Sequence, residues 1–222
     1  MNKKINYQKK LDDLLAGISA EGRRPTLLLH ACCGPCSSYV LEYLSSCFEI
    51  TVLYYNPNIY PPAEYDRRLN ELLTFYTKFL PAKNVRVIQA PYEPEDFYKA
   101  VGTRENPELA KEPERGERCR RCYELRLRYT YDYACVNNFD YFCTTLSISP
   151  FKDADMINEI GETLNKEPVE GPRWLTSDFK KRNGFKRSLE LSAEYNLYRQ
   201  EYCGCIYSIQ PQTNQSACQS LQ

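Results

Sequence analysis

Three groups of cysteines carry most of the reactive chemistry available to this chain: Cys32, Cys33 and Cys36; Cys119 and Cys122; Cys203 and Cys205. Two residues three apart at the start of a helix share a face, and the positive end of the helix favours thiolate over thiol. Both Cys33-Gly34-Pro35-Cys36 and Cys119-Arg120-Arg121-Cys122 have that spacing. In Tyr202-Cys203-Gly204-Cys205 the backbone must bend sharply to bring both sulfurs to one metal, and Gly204 permits the bend. Seven thiols exceed the four that a single zinc takes.

Two plainer readings stay open at this point. One is a single zinc with spare cysteines. The other is a dithiol redox pair, since Cys-Gly-Pro-Cys at a strand-to-helix turn resembles a thioredoxin-type motif; that reading leaves Cys32 and the two later pairs without a task. Cys47, Cys135, Cys143 and Cys218 stand alone and read as small apolar groups. His30, the single histidine, reads as a buried ring satisfied by a backbone carbonyl. Basic runs flank two of the cysteine pairs: Arg115, Arg118, Arg120 and Arg121 surround the first, and residues 180–187, including Lys180, Lys181, Arg182, Lys186 and Arg187, precede the last. Such runs are usually solvated faces, but here they stand where a phosphate backbone would approach the thiols.

The elements that must position these residues follow from apolar patterning. Thr26-Leu27-Leu28-Leu29-His30 is a continuous apolar run, the pattern of a parallel strand covered on both faces, and it places the first thiols at a strand's carboxyl end. In open α/β sheets that edge binds ligands. Residues 48–55, 85–90 and 141–145 read as further strands. Helices are expected over residues 4–20 (apolar spacing from 7 to 18), 37–44, 61–79, 94–100, 117–133 and 153–164, and residues 104–118 as a mobile surface loop. Strands alternating with helices predict an α/β fold: a parallel, doubly wound sheet with helices on both faces and right-handed crossovers. A C-terminal helical elaboration would carry the Cys-x-Cys. Residues 1–207 are expected to form a single domain, with 208–222 a polar, disordered tail.

With 222 residues the chain suits one such domain. Lys plus Arg equals Asp plus Glu at 29 each, so no global field announces a polyanionic partner and nucleic-acid contact must come from local patches. Residues 1–10 lack the apolar core of a signal peptide, and no stretch approaches the roughly 20 apolar residues of a membrane span. A cytoplasmic protein without membrane contact is expected. In that reducing compartment eleven cysteines are not a disulfide framework.

Four motifs in this order, His30-Ala31-Cys32-Cys33-Gly34-Pro35-Cys36, Cys119-Arg120-Arg121-Cys122-Tyr123, Thr145-Leu146-Ser147-Ile148-Ser149-Pro150-Phe151-Lys152 and Tyr202-Cys203-Gly204-Cys205, resemble the epoxyqueuosine reductase QueH family over residues 27–206. The resemblance implies a Rossmann-like (HUP-type) fold in which cysteines replace the phosphate loop. It implies an oxidoreductase that reduces the epoxide of epoxyqueuosine, at the wobble position of certain tRNAs, to the alkene of queuosine. The implied cofactors are a 4Fe-4S cluster and a second, mononuclear iron, and the implied partners are that tRNA and an external electron donor of ferredoxin or flavodoxin type. On this resemblance Cys33, Cys36, Cys119 and Cys122 are expected to hold the cluster, and Cys32, Cys203 and Cys205 to serve the second iron or a redox role. Adjacent Cys32 and Cys33 would point apart on a regular strand, which favours giving them to different metals unless a turn reverses that. Tyr123, Tyr202 and Asp153 are candidate proton donors or supports, and Arg118, Arg121, Lys180, Lys181, Arg182, Lys186 and Arg187 candidate tRNA contacts. The rivals are a non-enzymatic iron-sulfur or zinc protein that senses redox state, and an ATP-using tRNA-modifying enzyme of the same fold. The latter needs a glycine-rich phosphate loop after the first strand, where this chain has Cys-Cys-Gly-Pro-Cys.

Overall fold

Leu27, Leu28 and Leu29 expose no surface, which is what a strand covered on both faces demands. In the computed structural model, which describes residues 5–166 and 171–209, the chain runs α1 (Tyr7–Ala20), β1 (Thr26–His30), α2 (Gly34–Leu44), β2 (Glu49–Tyr54) and α3 (Pro62–Tyr76). It continues through β3 (Arg86–Gln89), α4 (Pro94–Val101), α5 (Glu108–Lys111) and α6 (Glu117–Val136). It ends with β4 (Tyr141–Thr144), α7 (Ala154–Leu164), β5 (Arg173–Trp174) and α8 (Gly184–Glu194), with 3-10 turns after β4 and at Ile206–Ser208.

The five strands lie in the order β3-β2-β1-β4-β5 and every pairing is parallel. Successive residues of the strands point to opposite faces, and each face has its own core. Leu27, Leu29, Ile50, Val52, Tyr54, Tyr141 and Cys143 pack with α1, α2 and α3 on one face. Leu28, Leu53, Tyr55 and Phe142 pack with α6, α7 and Trp174 on the other. Each of these side chains contributes about 1.5–3 kcal/mol of apolar burial as an upper figure, so the sheet is a stiff floor. The expected parallel, doubly wound architecture is present.

Strand β5 was not anticipated, because two residues leave no periodic signal. The stretch expected to be a mobile loop holds α5, anchored by buried Leu109. α8 falls in the basic run: its first residue, Gly184, lies so close to the Phe179 carbonyl and the Tyr39 ring that a Cβ there would stand 2.0 Å and 2.4 Å from them, and this is what lets α8 sit against α2. His30 behaves as expected. Its Nε2 donates to the Tyr55 carbonyl at 3.0 Å, and its Nδ1, 2.8 Å from the Thr144 hydroxyl, accepts; a carbonyl can only accept, which fixes the tautomer. Cys143 fills core beside the Leu175 carbonyl. Lys4 at the start of the expected first helix, Cys218, and residues 210–222 of the expected tail lie outside the described residues. Among the described residues no helix is long and apolar enough to cross a membrane.

Candidate metal centre

The chain leaves β1 at His30 and enters α2 at Gly34, and the turn between them is where the strand order reverses between β1 and β4, the position at which open α/β sheets bind ligands. Cys33 is the N-cap of α2, in extended conformation, and its sulfur accepts a hydrogen bond from the Cys36 amide at 3.4 Å. Pro35 costs no hydrogen bond in the first helical turn. Because the strand has already ended, its alternation no longer applies: the Cys32 and Cys33 sulfurs lie 3.8 Å apart, and both are within 4.8 Å of Cys36. A tetrahedral metal bound at about 2.3 Å would separate its sulfurs by about 3.8 Å. Gln200 adds a hydrogen bond from Nε2 to the Cys33 sulfur at 3.0 Å.

The second pair sits in the first turns of α6, on its buried face with Tyr123, Arg126, Leu127 and Thr130. Cys119 belongs to the core patch against which Cys32 leans, and Cys122 packs with Cys205, Phe97 and Val101. The third pair arrives on a strap after α8 that has no long element of its own. Arg68 of α3 fixes it: buried and paired with Glu64 at 2.7 Å, it points its two terminal nitrogens at the carbonyls of Cys203 and Tyr202, each at 3.4 Å. Gly204 adopts φ +116°, and its carbonyl accepts from the Tyr60 amide at 2.7 Å. The Tyr207 and Thr103 hydroxyls, 2.7 Å apart, close the far end.

Besides Arg68, whose strongest electrostatic neighbour is Cys33, two further buried cations face these sulfurs. Lys152, 8 % exposed, donates from Nζ to the Cys203 sulfur at 2.5 Å. Burial opposes its charge, but Cys203 and Tyr123 outweigh burial and hold the ammonium on. Arg126 has Cys122, Cys203 and Cys32 as its strongest electrostatic neighbours. The thiols answer accordingly. Cys32 is held well below the usual thiol range, chiefly by hydrogen bonds from Cys33 and Cys36. Cys203 is also well below it, through Cys205 and then the charges of Lys152 and Arg126. Burial pushes Cys33 up to about 12 and raises Cys122, while the bond to Cys203 raises Cys205. Soft sulfur donors around buried positive charge suit a thiolate-bound metal group, which carries net negative charge.

The other sequence candidates fall differently. Tyr123 is buried with an unpartnered hydroxyl beside Lys152, and burial raises its pKa. Asp153 is tied up as the N-cap of α7, accepting from the Met156 amide at 3.0 Å. The Tyr202 hydroxyl donates to the Tyr60 carbonyl at 2.6 Å. Of the cations, Arg118 is 2 % exposed and donates to the Leu109 and Ala110 carbonyls; it braces α5 and has no surface to offer a phosphate. Lys180, Lys181 and Arg182 line a cleft of about 650 Å³ together with Arg115 and Asp153. Arg121, Lys180, Arg182 and Arg187 already pair with Glu117, Asp178, Asp12 and Glu42, while Lys181 and Lys186 are exposed.

Sequence reading passed over Arg126, Lys152, Gln200 and the Arg68–Glu64 pair. A signal existed for Arg126: it stands four residues after Cys122 and seven after Cys119, a charge inside the buried stripe of its helix. Arg68 likewise sits between Tyr65 and Leu69 on the inward face of α3. Nothing local marks Gln200, which meets Cys33 from 167 positions away.

A sequence model of the family described as Epoxyqueuosine reductase QueH matches residues 27–211. A protein of Staphylococcus aureus named epoxyqueuosine reductase QueH is 42% identical over 213 residues, which cover 95% of this chain and 87% of that protein. Proteins of the same name from Streptococcus pyogenes and Staphylococcus epidermidis are 41% and 39% identical, again over 95% of this chain and over 81% and 87% of theirs.

Proposed function

The chain belongs to the epoxyqueuosine reductase QueH family, an oxidoreductase family, and from that premise we propose the reaction its thiols and buried cations serve. Epoxyqueuosine in tRNA is reduced to queuosine: two electrons and two protons enter, both C–O bonds of the epoxide break, a C=C bond forms between the two carbons, and the oxygen leaves as water. The observation that supports this reading is the meeting of three cysteine groups around Arg126 and Lys152 at the carboxyl edge of the sheet.

Cys33, Cys36, Cys119 and Cys122 would hold a 4Fe-4S cluster, and Cys32, Cys203 and Cys205 a second iron. This division gives the second iron Cys32 and Cys203, the two thiols that their neighbours hold well below the usual thiol range. The spacing of Cys32, Cys33 and Cys36 favours a second reading, in which those three serve one ion. When bound, a thiolate-held iron group supplies single electrons and an open position that polarises the epoxide oxygen. The chain's own residues do the rest. Lys152 holds the Cys203 sulfur in its anionic form, and Gln200 orients that of Cys33. Tyr123 keeps a proton on a hydroxyl that no protein group occupies, in reach of Lys152's surroundings, and is the proton donor we favour. Asp153 keeps Lys152 in place by ending the turn before α7. Exposed Lys181 and Lys186, with Lys180, Arg182, Arg187 and Arg121 once released from their carboxylates, meet the tRNA backbone. A small one-electron carrier of ferredoxin or flavodoxin type supplies the electrons.

The test is iron and acid-labile sulfide content on protein purified without oxygen, followed by epoxyqueuosine-tRNA reduction with dithionite. About four sulfides, more than four irons and conversion to queuosine are expected. Full metal loading without conversion would favour the redox-sensor reading, and one zinc without sulfide would end the cluster assignment.

A further inference from the structure

Arg126 is a full positive charge with almost no contact with water, at 2 % exposure. Its Nε reaches only the Cys122 carbonyl of its own helix, at 3.2 Å, and its Nη2 is enclosed without any hydrogen-bond partner. Arg68 is satisfied by Glu64 and two carbonyls, while Arg118 donates from Nη1 to two carbonyls and, like Arg126, keeps one enclosed nitrogen, its Nε, without a partner. The groups that act most strongly on the Arg126 charge are Cys122, Cys203, Cys32 and the Tyr123 phenol. They include one member of each cysteine group and no carboxylate. A buried charge is costly unless it is paired and hydrogen-bonded; Arg126 has no carbonyl pair of the kind that holds Arg118, and the groups placed to compensate its charge are sulfurs from three separate parts of the chain. Lys152, also buried beside these sulfurs, is already matched by Cys203 at 2.5 Å.

We propose that Arg126 is a positioning residue for the metal group: its fixed counter-charge, shared among the three cysteine groups, which favours the form carrying one more electron. The proposal rests on the metal-centre reading above. A cation held in a low-dielectric site beside a group that gains an electron stabilises the reduced state and raises its midpoint potential. The effect belongs to the charge and not to the shape, so lysine preserves it and the neutral, hydrogen-bonding glutamine does not.

Arg126→Gln and Arg126→Lys are purified anaerobically alongside the wild type, and iron, sulfide and the midpoint of an optical redox titration are measured. Arg126→Gln is expected to weaken electron uptake at least tenfold in equilibrium constant, 59 mV for a one-electron couple, with Arg126→Lys staying near wild type. If Arg126→Gln fails to take up metal while Arg126→Lys loads fully, the need for charge is supported by assembly itself. A fully loaded Arg126→Gln with an unchanged midpoint overturns the proposal. So does failure of Arg126→Lys to load or to keep the wild-type midpoint, since shape would then be what matters. A wild-type chain that takes up no iron and sulfide overturns the metal reading together with this inference, whereas loaded variants indistinguishable from a loaded wild type overturn this inference alone.

Discussion

Thiols reach the site in two ways that differ in kind. Cys32, Cys33 and Cys36 stand in the turn that leaves the central strand and in the first turn of the helix after it, positions set by backbone hydrogen bonds and by a floor of wholly buried leucines. Cys203 and Cys205 ride on a strap without a long element, held by groups that belong to other parts of the chain: the side chains of Arg68, Thr103 and Lys152 and the backbone of Tyr60. The first arrangement is rigid because it is part of the sheet. The second is only as rigid as a few hydrogen bonds of about 0.5–1.5 kcal/mol each, so the strap can open at a free energy well below that of global unfolding.

The largest effect that would sharpen this contrast is at the turn. Cys33→Ala removes a sulfur that Cys32, the Cys36 amide and Gln200 all contact; sulfide and activity should both fall to background, whereas Cys205→Ala should retain about four sulfides and lose the extra iron. Equal losses from the two would mean that turn and strap form one inseparable unit. Next comes Arg68→Met, which strands buried Glu64 and releases the Cys203 and Tyr202 carbonyls. It should cost about 3–5 kcal/mol in urea unfolding, and hydrogen exchange should rise in residues 202–208 while β1 stays protected. Uniform exchange would break the comparison. Gly204→Ala is smaller: it must adopt φ +116° and place a Cβ 2.8 Å from Arg68, for about 1–3 kcal/mol, with iron lost from the strap side first.

The smallest effect belongs to the turn's own support. Burial, then the charge of Arg126, lowers the His30 pKa to about 4 from an ordinary 6.5. The native state therefore binds its proton less readily than the unfolded chain, so stability is full above pH 6.5 and drains as pH falls toward 4. His30 is the only histidine, and metal-free protein should lose about 1 kcal/mol between pH 6.5 and 5.5 from this group. The slope should be shallower in His30→Gln. An identical slope in both would show that another group titrates there.

What was legible in the sequence follows the same division. The apolar run through Leu27, Leu28 and Leu29 announced a central parallel strand, and Gly34-Pro35 announced the turn that ends in thiols, because both are local patterns. The Cys119/Cys122 pair on α6 was legible for the same reason. The meeting of Cys32 and Cys33 was not, since it depends on the strand stopping at His30, whereas alternation keeps the two apart only where both lie on the strand. Neither Lys152 on Cys203 nor Gln200 on Cys33 has a local signature: each is a contact between residues 51 and 167 positions apart. The two-residue β5 was equally invisible, because its pairing is set by its neighbour β4 and not by its own pattern.

Drawing one site from both ends of a chain also has a meaning in time. During synthesis the thiols of the turn emerge about 170 residues before those of the strap, which at about 5–20 residues per second is a delay of roughly 8 to 35 s. For that interval a nascent chain presents three closely spaced sulfurs with no strap over them. Whatever loads the centre meets either this open half-site on the ribosome or the finished, covered one afterwards, and the order of loading decides how long reactive thiols stand unguarded against oxidation.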